Sequence, residues 1–351
     1  MIQTSECQIK EIAAHLIGNK YNGENLTLSE NSLEINDPAL KEILQHYFLN
    51  HFSSPEYFSF KMADEAGEEN PLYNFAKDIF NDGETDFQSY SKKIATLLYD
   101  SSEHPNIKPG ELYVVFIQDI IIEDELTDAI GLFKSETKQA FLKTVASGNN
   151  IQLNYDHGVN TDKLDKACLI VNTNELGGYK LCVIDKTNRG EEARFWKDTF
   201  LQVKPCADNY HFTESFMKAT KKFVTSKAMD KEFDIEKADK IDILNSSVQY
   251  FRDNDNFNEI DYANQVFKDE KIAHSFQEFR RDYQEKNNLP SVDEFEISEP
   301  AVKKQSRILK SVLKLDKNFH VYVHGDRQLI EKGYDEEKGK NYYKIYFDEE
   351  Q

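Results

Sequence analysis

The chain has 351 residues, 39% hydrophobic and 12% aromatic with 24 Phe and 18 Tyr, which is apolar mass for real cores and length for two domains, and excludes global disorder. Its net charge of −20 repels nucleic acid and anionic membranes as a whole, so any binding to them has to be local. The start MIQTSECQIKEIA carries no apolar leader core, and no apolar run approaches the ~18 residues of a membrane span, so a cytoplasmic protein without a membrane partner is expected.

In chain order, IKEIAAHLIG and NLTLSENSLEI read as strands around the turn Asn22-Gly23. Asp37 then caps a helix with Pro38 at its first position, DPALKEILQHYFLNHF. YFSFKM (57–62) reads as a short strand, and NPLYNFAKDIF and DFQSYSKKIATLLYD as two helices with apolar stripes. The strongest β signal follows. ELYVVFIQDIII (111–122) and TDAIGLFKSE (127–136) flank an acidic turn, then come NIQLNY, KACLIVNT and GYKLCVID, the last two joined by Asn174 to Gly178. These adjacent strands argue for one antiparallel sheet covered by the preceding helices.

After about residue 190 the pattern turns helical: EEARFWKDTFLQV, HFTESFMKATKKFVTSKAM, IEKADKIDILNSSVQYFRD and EKIAHSFQEFRRDYQEK all carry helix-period apolar residues. NNLPSVDEFEISEP reads as a loop leading into AVKKQSRILKSVLKL (301–315), and FHVYVHG and YYKIYF close the chain as strands. The expected architecture is α+β: residues 1–190 form a mainly antiparallel sheet domain with helices, and residues 191–351 a helical block closed by a β-hairpin.

The charge is unevenly spread. Residues 1–100 carry 17 Asp/Glu against 7 Lys/Arg, whereas residues 301–330 carry 7 Lys/Arg against 2 Asp/Glu. At 100° per residue, Ile308, Leu309, Val312, Leu313 and Leu315 fall on one side of a helix, with Lys303, Arg307, Lys310 and Lys314 on the other at i, i+4, i+7 and i+11. In HFTESFMKATKKFV, Phe212, Phe216, Ala219 and Phe223 make an apolar stripe opposite Lys218, Lys221 and Lys222. Such stripes serve either as polyanion contacts or as ordinary solvated faces.

Other constellations carry less. Cys7, Cys168, Cys182 and Cys206 form no CxxC pair and read as free thiols, Cys168 and Cys182 within apolar strands. His320 and His324 share a strand face without carboxylates at ligand spacing. Asp253 to Glu259 resembles a calcium loop but has Phe257 at a ligand position and Asn258 where Gly is wanted, so it reads as a cap or linker. Asp165-Lys166 and Asp185-Lys186 offer acid–lysine pairs of the kind a nuclease uses, yet adjacent residues on a strand point to opposite faces. No phosphate-loop, dinucleotide, nucleophile-elbow or zinc-protease motif occurs, and no cofactor is expected.

The order of elements, with Ile9-x-x-Ile12-Ala13-x-His15, GELYVVF, the step Leu132-Phe133-Lys134, Leu164-Asp165-Lys166-Ala167, Phe195 to Phe200, Phe212, Phe216 and Pro300, resembles the bacterial nucleoid-associated protein family of the YejK/NdpA type. The resemblance covers nearly the whole chain and implies a non-enzymatic cytoplasmic protein of the nucleoid, with DNA or DNA-associated proteins as partners. The expectation is weak DNA binding with little sequence specificity through Lys303, Arg307, Lys310 and Lys314, seconded by Lys218, Lys221 and Lys222. The alternative is a protein-interaction adaptor recruited by a DNA-associated partner, which the net charge favours. A metal-dependent nuclease is a third, weaker reading. Oligomeric state is left open, with a homo-oligomer compatible.

Overall fold

The computed structural model describes the chain apart from residues 1, 4–6, 53–55, 64–66, 82–85, 124, 187–194, 227–228, 230–232, 234, 236, 287–289, 291, 309–311, 316–318, 323–328, 348 and 350–351. Two compact units are present, Met1–Cys206 and Ala207–Gln351.

The first unit contains β1 (Ile2–Gln3), β2 (Gln8–Ile17), β3 (Leu26–Leu28), α1 (Pro38–Leu49), β4 (Phe58–Phe60), α2 (Pro71–Asn81), α3 (Phe87–Asp100), β5 (Gly110–Ile122), β6 (Glu125–Ser135), β7 (Lys138–Ser147), β8 (Asn150–Val159), β9 (Lys166–Val171), β10 (Lys180–Asp185) and β11 (Val203–Pro205). Nine strands build one antiparallel sheet in the order β11-β4-β10-β9-β6-β5-β2-β3, with β1 on β5. Alternation along the strands supplies two faces. Val114, Leu132, Cys168 and Leu181 pack against Leu72 and Ala76 of α2 and Ile94 and Leu98 of α3. Val115, Phe133, Leu169 and Cys182 pack against Tyr47, Phe48 and Leu49 of α1. Helices on both faces explain why every residue of β9 is buried.

The local signals that place these elements are visible. Asp37 accepts a hydrogen bond from the Ala39 amide and Pro38 opens α1. Gly110 starts β5 because a Cβ there would lie 1.9 Å from the Ser135 carbonyl oxygen. Between β9 and β10, Asn174 (φ 58°) and Gly178 (φ 92°) hold the left-handed backbone the turn needs.

Two expectations change in the first unit. NIQLNY does not join the sheet; among the described residues β8 pairs with β7, a strand the sequence reading missed, as a separate two-stranded ribbon. The segment after residue 190 is not the start of the helical block. Its described part makes a wide helical turn, Phe195–Phe200, with the Leu201 amide bonded to the Trp196 carbonyl at 3.0 Å. Trp196 and Phe200 are sealed in the sheet's core, and β11 pairs with β4, so this stretch completes the first unit. Helix periodicity there was real, but the apolar face found a sheet rather than a bundle.

The second unit contains α4 (Asn209–Val224), α5 (Lys237–Asp253), β12 (Asn256–Asn258), α6 (Glu259–Val266), α7 (Glu270–Lys286), β13 (Glu294–Glu296), α8 (Glu299–Ile308), β14 (Val312–Leu315), β15 (Phe319–Tyr322), β16 (Ile330–Asp335) and β17 (Lys340–Ile345). Its core is aromatic: Phe216, Phe251, Phe257, Tyr262 and Phe276 contact one another, and Phe257 stacks on Phe295 at 4.6 Å across the β12–β13 pair. The buried Tyr262 hydroxyl is satisfied by Ser247 and Thr220 at 2.7 and 2.8 Å. Asn258, the misfit of the calcium-like run, caps α6 by accepting from the Ile260 and Asp261 amides. The chain ends in two hairpins, β14–β15 and β16–β17, where one was expected.

The helix expected over 301–315 is seen over Glu299–Ile308, and Val312–Leu315 is a strand. Leu313 and Leu315 alternate with Val312 and Lys314, so the segment satisfies a period of 2 as well as 3.6. A partner strand supplied by 319–322 decides between them.

Candidate nucleic-acid interface

Helix α4 starts at Asp208, whose carboxylate accepts from the His211 amide. Phe216, Ala219 and Phe223 turn inward, which leaves Lys218 and Lys222 exposed and Lys221 half-buried. Helix α8 packs against α4. Its Ala301, Val302 and Gln305 are buried, while Lys303 and Arg307 are exposed. The Thr213 hydroxyl accepts from the Ser298 amide at 3.0 Å and ties the start of α8 to α4.

The two helices meet at Glu214. Its Oε2 lies 2.8 Å from Lys218 Nζ, and its Oε1 lies 3.0 Å from Lys304 Nζ and accepts from Gln305 Nε2 at 2.8 Å. Burial by itself would push the Glu214 carboxyl up, but the hydrogen bonds and charges of Lys218 and Lys304 outweigh it, and the net shift is downward. Lys304 also sits 5.4 Å from the Tyr210 ring, and Lys222 lies 4.7 Å from the Tyr283 ring.

Of the six lysines and one arginine expected at the site, Lys218, Lys221 and Lys222 lie on α4 and Lys303 and Arg307 on α8, two helices that pack against each other. Lys314 is corrected: it belongs to β14, paired in register with His320, so it is not carried on the helix face three turns after Lys303. Lys310 lies outside the described residues, as does His324 of the suggested histidine pair. Lys304 was missed. The Lys303-Lys304 doublet was the available signal, but only the packing of α8 on α4 turns the second lysine to Glu214. Along the two helices the cations are Lys218, Lys221, Lys222, Lys303, Lys304 and Arg307, against the carboxylates Glu214 and Glu299, 6 − 2 = +4 in a chain of −20.

The acid–lysine pairs considered for a nuclease are brought together differently. Lys166 and Asp185 face each other across β9–β10, with Nζ 2.8 Å from Oδ1. Glu136 lies between Lys134 (2.7 Å) and Lys166 (3.8 Å), and Lys134 also donates to the Lys108 carbonyl at 2.7 Å. Asp165 instead accepts from the Glu136 and Thr137 amides at 2.7 and 2.8 Å. Burial lowers the Lys134 ammonium from its ordinary value against the pull of Glu136. Both lysines are wholly buried, and the group is an ion-pair network inside the sheet rather than an open cleft. Among the described residues, no group of three or more His, Cys, Asp and Glu is arranged to hold a metal ion, and no helix is long and apolar enough to cross a membrane.

A family model described as nucleoid-associated protein YejK matches residues 14–344. No curated protein matches the chain. With nearly the full length matched, the chain belongs to that family of nucleoid-associated proteins.

Proposed function

We propose that this member of the nucleoid-associated protein YejK family catalyses no reaction, and associates with the nucleoid by holding DNA phosphates weakly and with little sequence preference. The contacts are Lys303 and Arg307 of α8 with Lys218, Lys221 and Lys222 of α4.

The observation that supports this reading is the packing of α4 on α8, where Lys218 and Lys304 meet at Glu214 on two helices of net positive charge in an otherwise acidic chain. Lysine-rich helix surfaces recognise phosphate by charge, without base reading, so affinity should be modest and strongly salt-dependent.

The test is DNA binding of the full chain as a function of salt, with Lys303→Glu plus Arg307→Glu as the variant. A log–log slope of about −4.5 for five phosphate contacts is expected, reduced by about 2 in the variant. Both side chains are exposed, so the melting temperature should hold. A wild-type slope near zero, or a variant that binds like wild type, removes direct contact at this seam and points to recruitment through a DNA-associated protein.

A further inference from the structure

The first unit contains a cavity of about 300 Å³ between the start of β2, the segment after β3 and the first half of α1. Its shape begins with a break in β2. Ile9 pairs with Ile117 and Glu11 with Phe116, so Lys10 is an extra residue in the strand, a β-bulge. Strict alternation would send Ile9 and Ile12 to opposite faces. The extra residue instead puts Cys7, Ile9 and Ile12 together on the face that α1 covers. The Leu33 amide donates to the Ile12 carbonyl at 2.7 Å and holds the segment after β3 against the strand. Lys41, Leu44 and Gln45 stand at i, i+3 and i+4 of α1 and share one side of it.

The lining divides by depth. Cys7 and Ile12 are buried and Ile9, Ile35 and Leu44 half-buried, whereas Lys10 and Lys41 are exposed, so the floor is apolar and the cations stand at the mouth. Among the described residues, none that lines the cavity is acidic or aromatic. Residues 1–100 carry 17 Asp/Glu against 7 Lys/Arg, yet two of those seven cations are gathered here. Among the described residues neither is ion-paired: Lys10 Nζ donates to the neutral Gln8 amide oxygen at 3.1 Å, and Lys41 has no carboxylate partner.

We propose that this cavity binds a medium-chain alkyl carboxylate, with the chain on the apolar floor and the carboxylate between Lys10 and Lys41. Three features select that ligand. Two cations without an acidic neighbour in the lining favour an anion. Aliphatic walls without rings favour a flexible alkyl chain over a flat aromatic acid. Volume sets the length: at ~30 Å³ for each water-sized group, 300 Å³ takes about ten non-hydrogen atoms, as in octanoate. A largely apolar pocket with a few convergent polar groups is the usual form of a small-molecule site. The cavity belongs to the first unit and shares no residue with the basic seam of α4 and α8, so it does not depend on the DNA-binding reading.

The experiment is calorimetric titration of the full chain with octanoate, for which a dissociation constant of about 10–100 μM is expected. Hexanoate, two methylenes shorter, should bind about 15-fold more weakly, and decanoate should gain little over octanoate because its chain outruns the cavity. Lys10→Gln with Lys41→Gln should weaken octanoate about 10-fold while leaving octanol affinity unchanged. Both side chains are exposed, so the melting temperature should hold. Leu44→Trp fills the cavity and should abolish binding of octanoate and octanol alike. If that variant does not fold, the lysine pair decides alone. Octanoate binding weaker than ~1 mM overturns the proposal. So does octanol held as tightly as octanoate, a lysine variant that binds octanoate like wild type, or a folded Leu44→Trp chain that still binds it.

Discussion

Glu214 of α4 receives Lys304 of α8 at 3.0 Å while holding Lys218 of its own helix at 2.8 Å, so one buried carboxylate joins the two helices through their cations. It both braces the seam and lowers its positive charge by one.

Glu214→Gln separates those roles. The amide still accepts from one lysine, so a stability loss of about 1–3 kcal/mol is expected, from a buried hydrogen-bonded charge. If the seam holds DNA, the same substitution tightens binding several-fold at low salt and steepens the salt slope by about 1. Reduced stability with unchanged DNA affinity would assign Glu214 to packing alone. Denaturant titration and DNA titration of the same preparation read the two effects.

The network of Lys134, Glu136, Lys166 and Asp185 should be intolerant of partial removal. Lys134→Met takes away the closest cation from Glu136, leaving Lys166 at 3.8 Å, and should cost about 3–5 kcal/mol. The double change Lys134→Met with Glu136→Leu removes both charges and should recover at least half of that loss. Urea midpoints at neutral pH decide it. A single variant as stable as wild type would show that the pair contributes nothing.

His15 should make the first unit acid-sensitive. Its Nδ1 accepts from the Ser29 amide at 3.1 Å. Its Nε2 lies 3.0 Å from Ser91 Oγ, whose own proton goes to the Gln88 carbonyl at 2.8 Å, so the neutral tautomer fills every position. Burial, helped by the charge of Lys92, lowers its pKa to about 4 from 6.5. The unfolded chain therefore binds the proton first as pH falls. The contribution is complete above about pH 6.5 and drains away toward pH 4, for a loss of roughly 2–3 kcal/mol. His15→Gln should be less stable at pH 7.5 yet show a flatter pH dependence between pH 7 and 4.5. An unchanged slope would assign the acid sensitivity to other groups.

What could be read from residues alone was whatever is encoded within a few positions. Asp37-Pro38 announces α1, the alternation of 111–122 and 127–136 announces the central strands, Asn174 to Gly178 announces their neighbour's turn, and Asn258 announces a cap. Spread along the chain, such signals carried the α+β class and the family resemblance.

Decisions between near-equal local options were left to tertiary contacts. Val312–Leu315 fits helix and strand, and the presence of Phe319–Tyr322 beside it moved Lys314 off the basic helix face. The apolar residues of Phe195–Phe200 fit any core, and β4 with β9 captured them for the sheet. Lys166 and Asp185 are 19 residues apart, and only the β9–β10 register makes them a pair. The same holds for Glu214 and Lys304. Sequence periodicity determined which faces of α4 and α8 are polar, but the packing of one helix on the other decided which cations meet, because a charge's neighbours are set by register and docking rather than by its place in the chain.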